Sequence, residues 1–195
     1  MSIAIVKYNA GNVRSVQFAL QRLGVEALWT DEPDALRAAD KVIFPGVGEA
    51  SSAMQYLRER GLDAVLRGLR QPVLGICLGL QLFCRYSEEG DTSCLGIFDV
   101  EVRRFRSPGL KVPHIGWNTL SNLREPLFEG VQDGNFAYFV HSFYAEMHPD
   151  FIAAQADYDV PFSAALQREN FFAVQFHPEK SGETGQRILK NFLKL

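Results

Sequence analysis

Four short apolar-rich runs alternate with helical patterns over the first ninety residues, and this alternation leaves few folds open. The runs are Ile3-Ala4-Ile5-Val6, Val25 to Trp29, Lys41-Val42-Ile43-Phe44 and Pro72-Val73-Leu74. Strands with so little polar alternation are buried on both faces, as in parallel sheets covered by helices. Between the first two runs, Val13, Val16, Phe18, Ala19, Leu20 and Leu23 recur at helical spacing, closed by Gly24 as a C-cap. A short helix over Asp34 to Ala39 follows Pro33, and the third strand stops at Pro45-Gly46. Ala50 to Arg67 reads as an amphipathic helix interrupted at Gly61. Strands alternating with helices in this way imply right-handed βαβ units and a parallel sheet.

After Gly90 the texture changes. Ile97 to Phe105, Thr119 to Leu123, Tyr138 to Tyr144, Ile152 to Tyr158 and Ser163 to Gln167 read as shorter strands, punctuated by Pro and Gly. Phe171 to Phe176 is a buried strand that returns to the sheet, and a helix over about 182–192 closes the chain. The expected fold is α/β: a flavodoxin-like three-layer arrangement with a mostly parallel central sheet and added antiparallel strands in the C-terminal half. Residues 1–195 read as one domain.

A composition of 47% hydrophobic and 22% charged residues is that of a soluble globular chain. The net charge of −3 argues against nucleic acid as a partner. The dense basic stretch, Arg103-Arg104-Phe105-Arg106, reads as solvated surface. Cysteines at 77, 84 and 94 lack Cys-x-x-Cys spacing, so neither a metal nor a cofactor is expected, and sparse thiols fit a reducing cytoplasm. Cys84, seven residues after Cys77, reads as core packing on the same side of one helix. No apolar run approaches the roughly twenty residues that cross a bilayer.

The chemistry concentrates at Gly75-Ile76-Cys77-Leu78-Gly79, between the fourth apolar run and the helix-like Leu80-Gln81-Leu82-Phe83. A thiol at a strand–turn–helix apex is held in a tight conformation, and the flanking glycines relieve the crowding. The first turn of the helix favours negative charge, and the thiolate is cysteine's reactive form. A hundred residues on, Phe171–Phe176 runs into His177-Pro178-Glu179, where the proline ends the strand. Cys77 and His177 both fall at carboxyl ends of strands, where open α/β sheets assemble their sites. Glu179 can turn back and hold the imidazole, which gives a Cys-His-Glu triad. His141 reads as a structural, hydrogen-bonded histidine.

Gly-Ile-Cys-Leu-Gly-Leu-Gln with a distal Gln-Phe-His-Pro-Glu resembles the class I (triad-type) glutamine amidotransferases. Phe44-Pro45-Gly46-Val47-Gly48, His114-Ile115-Gly116-Trp117-Asn118 and Tyr138-Phe139-Val140-His141-Ser142 resemble the branch that serves as glutaminase subunits of imidazole glycerol phosphate synthase. The resemblance implies hydrolysis of L-glutamine to glutamate and ammonia through a thioester on Cys77. It implies an oxyanion hole from the Leu78 N–H and the Gly46, Val47 and Gly48 loop, a glycine-rich segment able to turn over a peptide plane. Glutamine contacts carry over to Gln81, Glu89 and the backbone of Ser142 and Phe143.

Nothing in the chain can accept the ammonia, since no phosphate-binding glycine motif is present. The resemblance implies a partner, the (β/α)₈-barrel cyclase, joined with it in a heterodimer of histidine biosynthesis. Candidate interface residues are Asn12, Trp117, Asn118 and Lys180. A glutaminase of another synthase, such as one aminating a sugar, stays open: Lys7-Tyr8 stands where an acidic residue is common in the family.

Overall fold

The computed structural model describes residues 1–8 and 13–195. In chain order its elements begin with β1 (Ile3–Val6), α1 (Val13–Arg22), β2 (Ala27–Thr30), α2 (Pro33–Ala38) and β3 (Lys41–Gly46). They continue with α3 (Ala50–Glu59), α4 (Leu62–Gly68), β4 (Val73–Cys77), α5 (Leu78–Phe83), β5 (Tyr86–Ser87), β6 (Thr92–Ser93) and β7 (Glu101–Arg104). The last group is β8 (His114–Thr119), β9 (Phe136–His141), β10 (Phe143–Ala145), β11 (Ile152–Tyr158), β12 (Val160–Arg168), β13 (Phe171–Val174) and α6 (Gly182–Lys194).

The apolar runs become neighbouring parallel strands in the order β2-β1-β3-β4-β13. This is the flavodoxin-like order, with the returning strand β13 in fifth place. Alternate residues of each strand serve opposite faces. Ala4, Val6, Val42 and Phe44 pack with α2 to α5, whereas Ile3, Ile5, Ile43 and Ile76 pack with α1 and α6. Two cores on one sheet make three layers; β1, β3, β4 and β13 are buried along their whole length and tolerate no polar alternation, whereas the edge strand β2 leaves Leu28 and Trp29 exposed. Beyond β13 the sheet continues through β12, β10, β7, β5 and β6, with antiparallel pairing at β12–β13, β10–β12 and β7–β10. Strands β8 and β9 form a separate two-stranded antiparallel ribbon.

The C-terminal half departs from the sequence expectation in its details. Of Ile97–Phe105 only β7 is strand; Leu95 to Phe98 is instead hydrogen-bonded back onto the end of α5, with Phe98 fully buried. The strand expected over Thr119–Leu123 lies earlier, at His114–Thr119. A ribbon with one open face accommodates Gly116 at φ 136° and half-exposed side chains, so neither period nor hydrophobicity marks it. Tyr138–Tyr144 divides at Ser142 into β9 and β10, which belong to different sheets. Helix α5 ends at Phe83, so Cys77 and Cys84 cap its two ends rather than share one of its faces; Cys84 is fully buried.

Candidate active site

Strands β3, β4 and β13 end side by side, and the site is built on their carboxyl ends. Gly46 is the cross-strand partner of Cys77, and Val174 pairs with Ile76, one residue before it. Cys77 joins β4 to α5 with φ 54° and ψ −107°. A side-chain-bearing residue in that region is strained, at a cost of about 1–3 kcal/mol, and such strain persists where the surroundings over-determine it. The glycines on each side are what allow this packing: a side chain at Gly75 would meet the Phe83 ring, and one at Gly79 would overlap the Phe44 carbonyl. Leu78 opens α5, so its N–H sits at the unpaired first turn of the helix, directly after the thiol.

His177 follows β13 and is placed by backbone bonds. Its N–H donates to the Tyr138 carbonyl (2.9 Å), and its own carbonyl accepts from Ser181 Oγ (2.7 Å). Ser181 Oγ in turn accepts the Tyr138 N–H (2.9 Å), which ties the turn after β13 to β9. Pro178–Lys180 is a single 3₁₀ turn that brings Glu179 back, so that His177 Nδ1 lies 2.8 Å from Glu179 Oε1. Both side chains are 1% exposed. A carboxylate only accepts, so Nδ1 carries the hydrogen and Nε2 is the basic nitrogen of the neutral ring. Nε2 has no hydrogen-bond partner in place among the described residues, and Cys77 is the further neighbour whose side chain acts on the ring. Burial pulls the imidazole pKa down, but hydrogen bonding and charge from Cys77 and Glu179 outweigh it and push it up to about 10. The ring is thus set to hold a proton taken from sulfur.

The remaining expected residues fall as follows. Val47 is half-buried and Gly48, at φ 123°, is exposed, on the loop between β3 and α3. Gln81 points inward: its Nε2 donates both to the Phe143 carbonyl (3.0 Å) and to Gln175 Oε1 (3.1 Å), leaving only Oε1 for a ligand. Glu89 Oε2 accepts the N–H of Ala50 (2.8 Å) at the first turn of α3, and burial raises its pKa against that bond. Its carboxylate therefore borders the end of the glycine loop. The Ser142 carbonyl accepts the Phe105 N–H (3.0 Å). Trp117 is 56% exposed and edge-on to Tyr138, and Lys180 Nζ lies 6.0 Å from the same ring. These three form one outer face of the ribbon. Asn118 is tied inward, with Nδ2 on the Asp157 carbonyl (2.9 Å) and Oδ1 on the Thr119 N–H (2.8 Å). Asn12 lies outside the described residues. Arg103 and Arg106 of the basic stretch pair with acidic neighbours, chiefly Glu88.

Sequence reasoning missed four groups, three around the thiol and one, Ser181, bonded to the His177 carbonyl. Gln175 Nε2 lies 3.7 Å from Cys77 Sγ, and the Val140 carbonyl lies 3.9 Å from it. Tyr8 is buried, its hydroxyl has no partner among the described residues, and burial together with the Cys77 charge raises its pKa. Ser181 was visible beside Lys180 but carried no chemical signal of its own.

A strained thiol beside a buried histidine–carboxylate pair is the arrangement to set against known proteins. The family model described as class-I glutamine amidotransferase matches residues 5–195. The chain belongs to the class-I glutamine amidotransferases. Members of that family named imidazole glycerol phosphate synthase subunit HisH resemble it over their full length. The protein from Bacteroides fragilis (strain YCH46) is 60% identical over 100% of both chains, and that from Escherichia coli (strain K12) is 44% identical over 100% of both. Among solved structures, one described as a glutamine amidotransferase superposes with TM-score 0.76 at 23% identity, covering 98% of this chain and 97% of that one. PurLQS from Thermotoga maritima gives TM-score 0.73 at 19% identity, over 99% and 97% of the two chains. At such identities the structural likeness speaks to the fold, and the amidotransferase fold is the one described above.

Proposed function

We propose that this amidotransferase is the glutaminase subunit of an imidazole glycerol phosphate synthase, acting in histidine biosynthesis. Cys77 Sγ attacks the side-chain carboxamide carbon of L-glutamine while His177 Nε2 takes up the thiol proton. The resulting tetrahedral oxyanion is held by the Leu78 N–H and by an N–H of the Gly46-Val47-Gly48 loop; such a donor contributes about 3–4 kcal/mol to the transition state. Collapse breaks the C–N bond as His177 passes its proton to the nitrogen, releasing ammonia and leaving a thioester. Water, deprotonated by the same imidazole, then cleaves the thioester to glutamate and free thiol. Glu179 keeps the ring in the required tautomer throughout. Gln81 Oε1, Glu89 and the backbone at Ser142 and Phe143 bind the amino-acid end of glutamine.

The ammonia passes to a (β/α)₈-barrel cyclase that docks on Trp117, Lys180 and the surrounding ribbon in a heterodimer, with Asn118 at its border; Asn12 is a further candidate contact from the sequence. No helix among the described residues is long and apolar enough to cross a membrane. A one-domain cytoplasmic enzyme, with its thiols free, suits this role. The observation that carries the reading is the buried His177–Glu179 pair beside Cys77 on adjoining strand ends. Relatives at 44–60% identity, sharing one name, favour the histidine pathway over sugar amination. Glutamine hydrolysis measured with and without a histidine-pathway cyclase tests it. Stimulation by that cyclase is expected; hydrolysis indifferent to it would redirect the reading to another synthase.

A further inference from the structure

Behind the nucleophile, buried polar groups form one hydrogen-bonded chain, and a single carbonyl fixes its directions. The Phe143 carbonyl can only accept. Two donors converge on it, His141 Nδ1 at 2.7 Å and Gln81 Nε2 at 3.0 Å. Gln81 must therefore present its nitrogen there, and the second hydrogen of that nitrogen meets Gln175 at 3.1 Å. The atom of Gln175 facing Gln81 is consequently its oxygen. Its nitrogen is turned the other way, 3.7 Å from Cys77 Sγ. On the second branch, His141 Nε2 is left as a lone pair and accepts from His114 Nδ1 at 3.0 Å. Burial pulls these two rings down to about 3 and about 4, so neither reverses its role near neutral pH. Gln175 is fully buried and Gln81 is 4% exposed, so the amides have no water to turn toward.

We propose that Gln175 is a positioning residue for the nucleophile: its side-chain N–H donates to the Cys77 sulfur and favours the anionic form, and Gln81 keeps that amide the right way round. A neutral thiol donates its hydrogen, and the Val140 carbonyl at 3.9 Å is there to receive it. An anionic sulfur only accepts, and Gln175 is the amide donor fixed beside it. A hydrogen bond to the charged form stabilises that form. Among the described residues, the titratable groups acting around the sulfur are His177 and, two residues beyond β1, Tyr8. The proposal rests on Cys77 being the nucleophile.

The test uses the full-length chain and Gln175→Met, which keeps length and burial without the donor. Alkylation of Cys77 by iodoacetamide is followed by peptide mass spectrometry across pH, alongside kcat and KM for glutamine. The pH midpoint of alkylation should rise by about one unit and kcat fall about tenfold, with KM little changed. A merely structural role would leave the midpoint in place, and an unmoved midpoint overturns the proposal. Should Gln175→Met not fold, the native chain decides. The Gln175 side-chain amide resonance should titrate with the same midpoint as Cys77 alkylation, and a resonance flat across pH overturns the proposal. Failure of the underlying reading looks different: the native Cys77 would then resist a glutamine-like chloroketone altogether.

Discussion

The hydroxyl of Tyr8 occupies the space that a side chain at Gly46 would need. Gly46→Ala should therefore destabilise the protein by about 1–3 kcal/mol, the usual cost of overpacking. Tyr8→Phe removes a buried hydroxyl that has no partner among the described residues and should gain about 1 kcal/mol while keeping the ring packed on Phe44. In the double variant the two effects should be non-additive, because the phenol oxygen is the main obstacle to the new methyl group. Urea denaturation of the four proteins checks this; strict additivity would contradict the overlap.

Cys77→Ala and His177→Ala should each abolish glutamine hydrolysis while ammonia-driven synthesis by the proposed cyclase partner continues. Glu179→Gln should be milder, on the order of a hundredfold in kcat, because an amide can still orient the ring without stabilising its charge. Cys77→Gly should be equally inactive but about 1 kcal/mol more stable than Cys77→Ala, since glycine relieves the φ of 54°. Equal stabilities would mean that the turn is not strained.

In the folded protein one thiol should react quickly with a disulfide reagent and two should not. Burial pushes the Cys94 thiol up to about 12 and raises Cys84 well above the ordinary range. Counting thiols released before and after denaturation gives the answer.

Stability should peak near pH 6.5. His177 binds its proton more tightly when folded, with a pKa of about 10, so its contribution is complete below 6.5 and is lost as pH rises toward 10. His141 and His114, buried without a counter-charge, sit at about 3 and about 4 when folded. Below 6.5 the unfolded chain takes up protons that the folded chain refuses, so stability falls as pH drops toward 4. Melting temperatures from pH 5 to pH 9 should trace a maximum; a steady climb across the range would contradict it.

The sequence made the candidate nucleophile and its candidate base legible because both are local events: a glycine-flanked thiol after a strand, and a histidine where proline stops one. It also exposed the parallel half of the sheet, where burial on both faces writes continuous apolar runs. Gln175 counted towards the family motif, but its contact stayed hidden inside such a run, Phe172-Ala173-Val174-Gln175-Phe176, where one polar residue carries no chemistry of its own. Its meaning depends on Gln81, 94 residues away, and on the Phe143 carbonyl, which belongs to no side chain at all. The β8 strand lies earlier than its residue pattern suggests for a related reason. Pro113 and Gly116 look like loop punctuation, and a ribbon open on one side gives no hydrophobic period to overrule them.

The ribbon is only one backbone thick where it borders the thiol. Tyr138, which shows its ring outward to Trp117 and Lys180, also lends its carbonyl to the His177 amide, and two residues on, the Val140 carbonyl looks at the sulfur. Outer wall and inner wall are thus the same stretch of chain. Whatever leans on that wall from outside is separated from the chemistry by a single peptide, with no intervening layer to absorb the push.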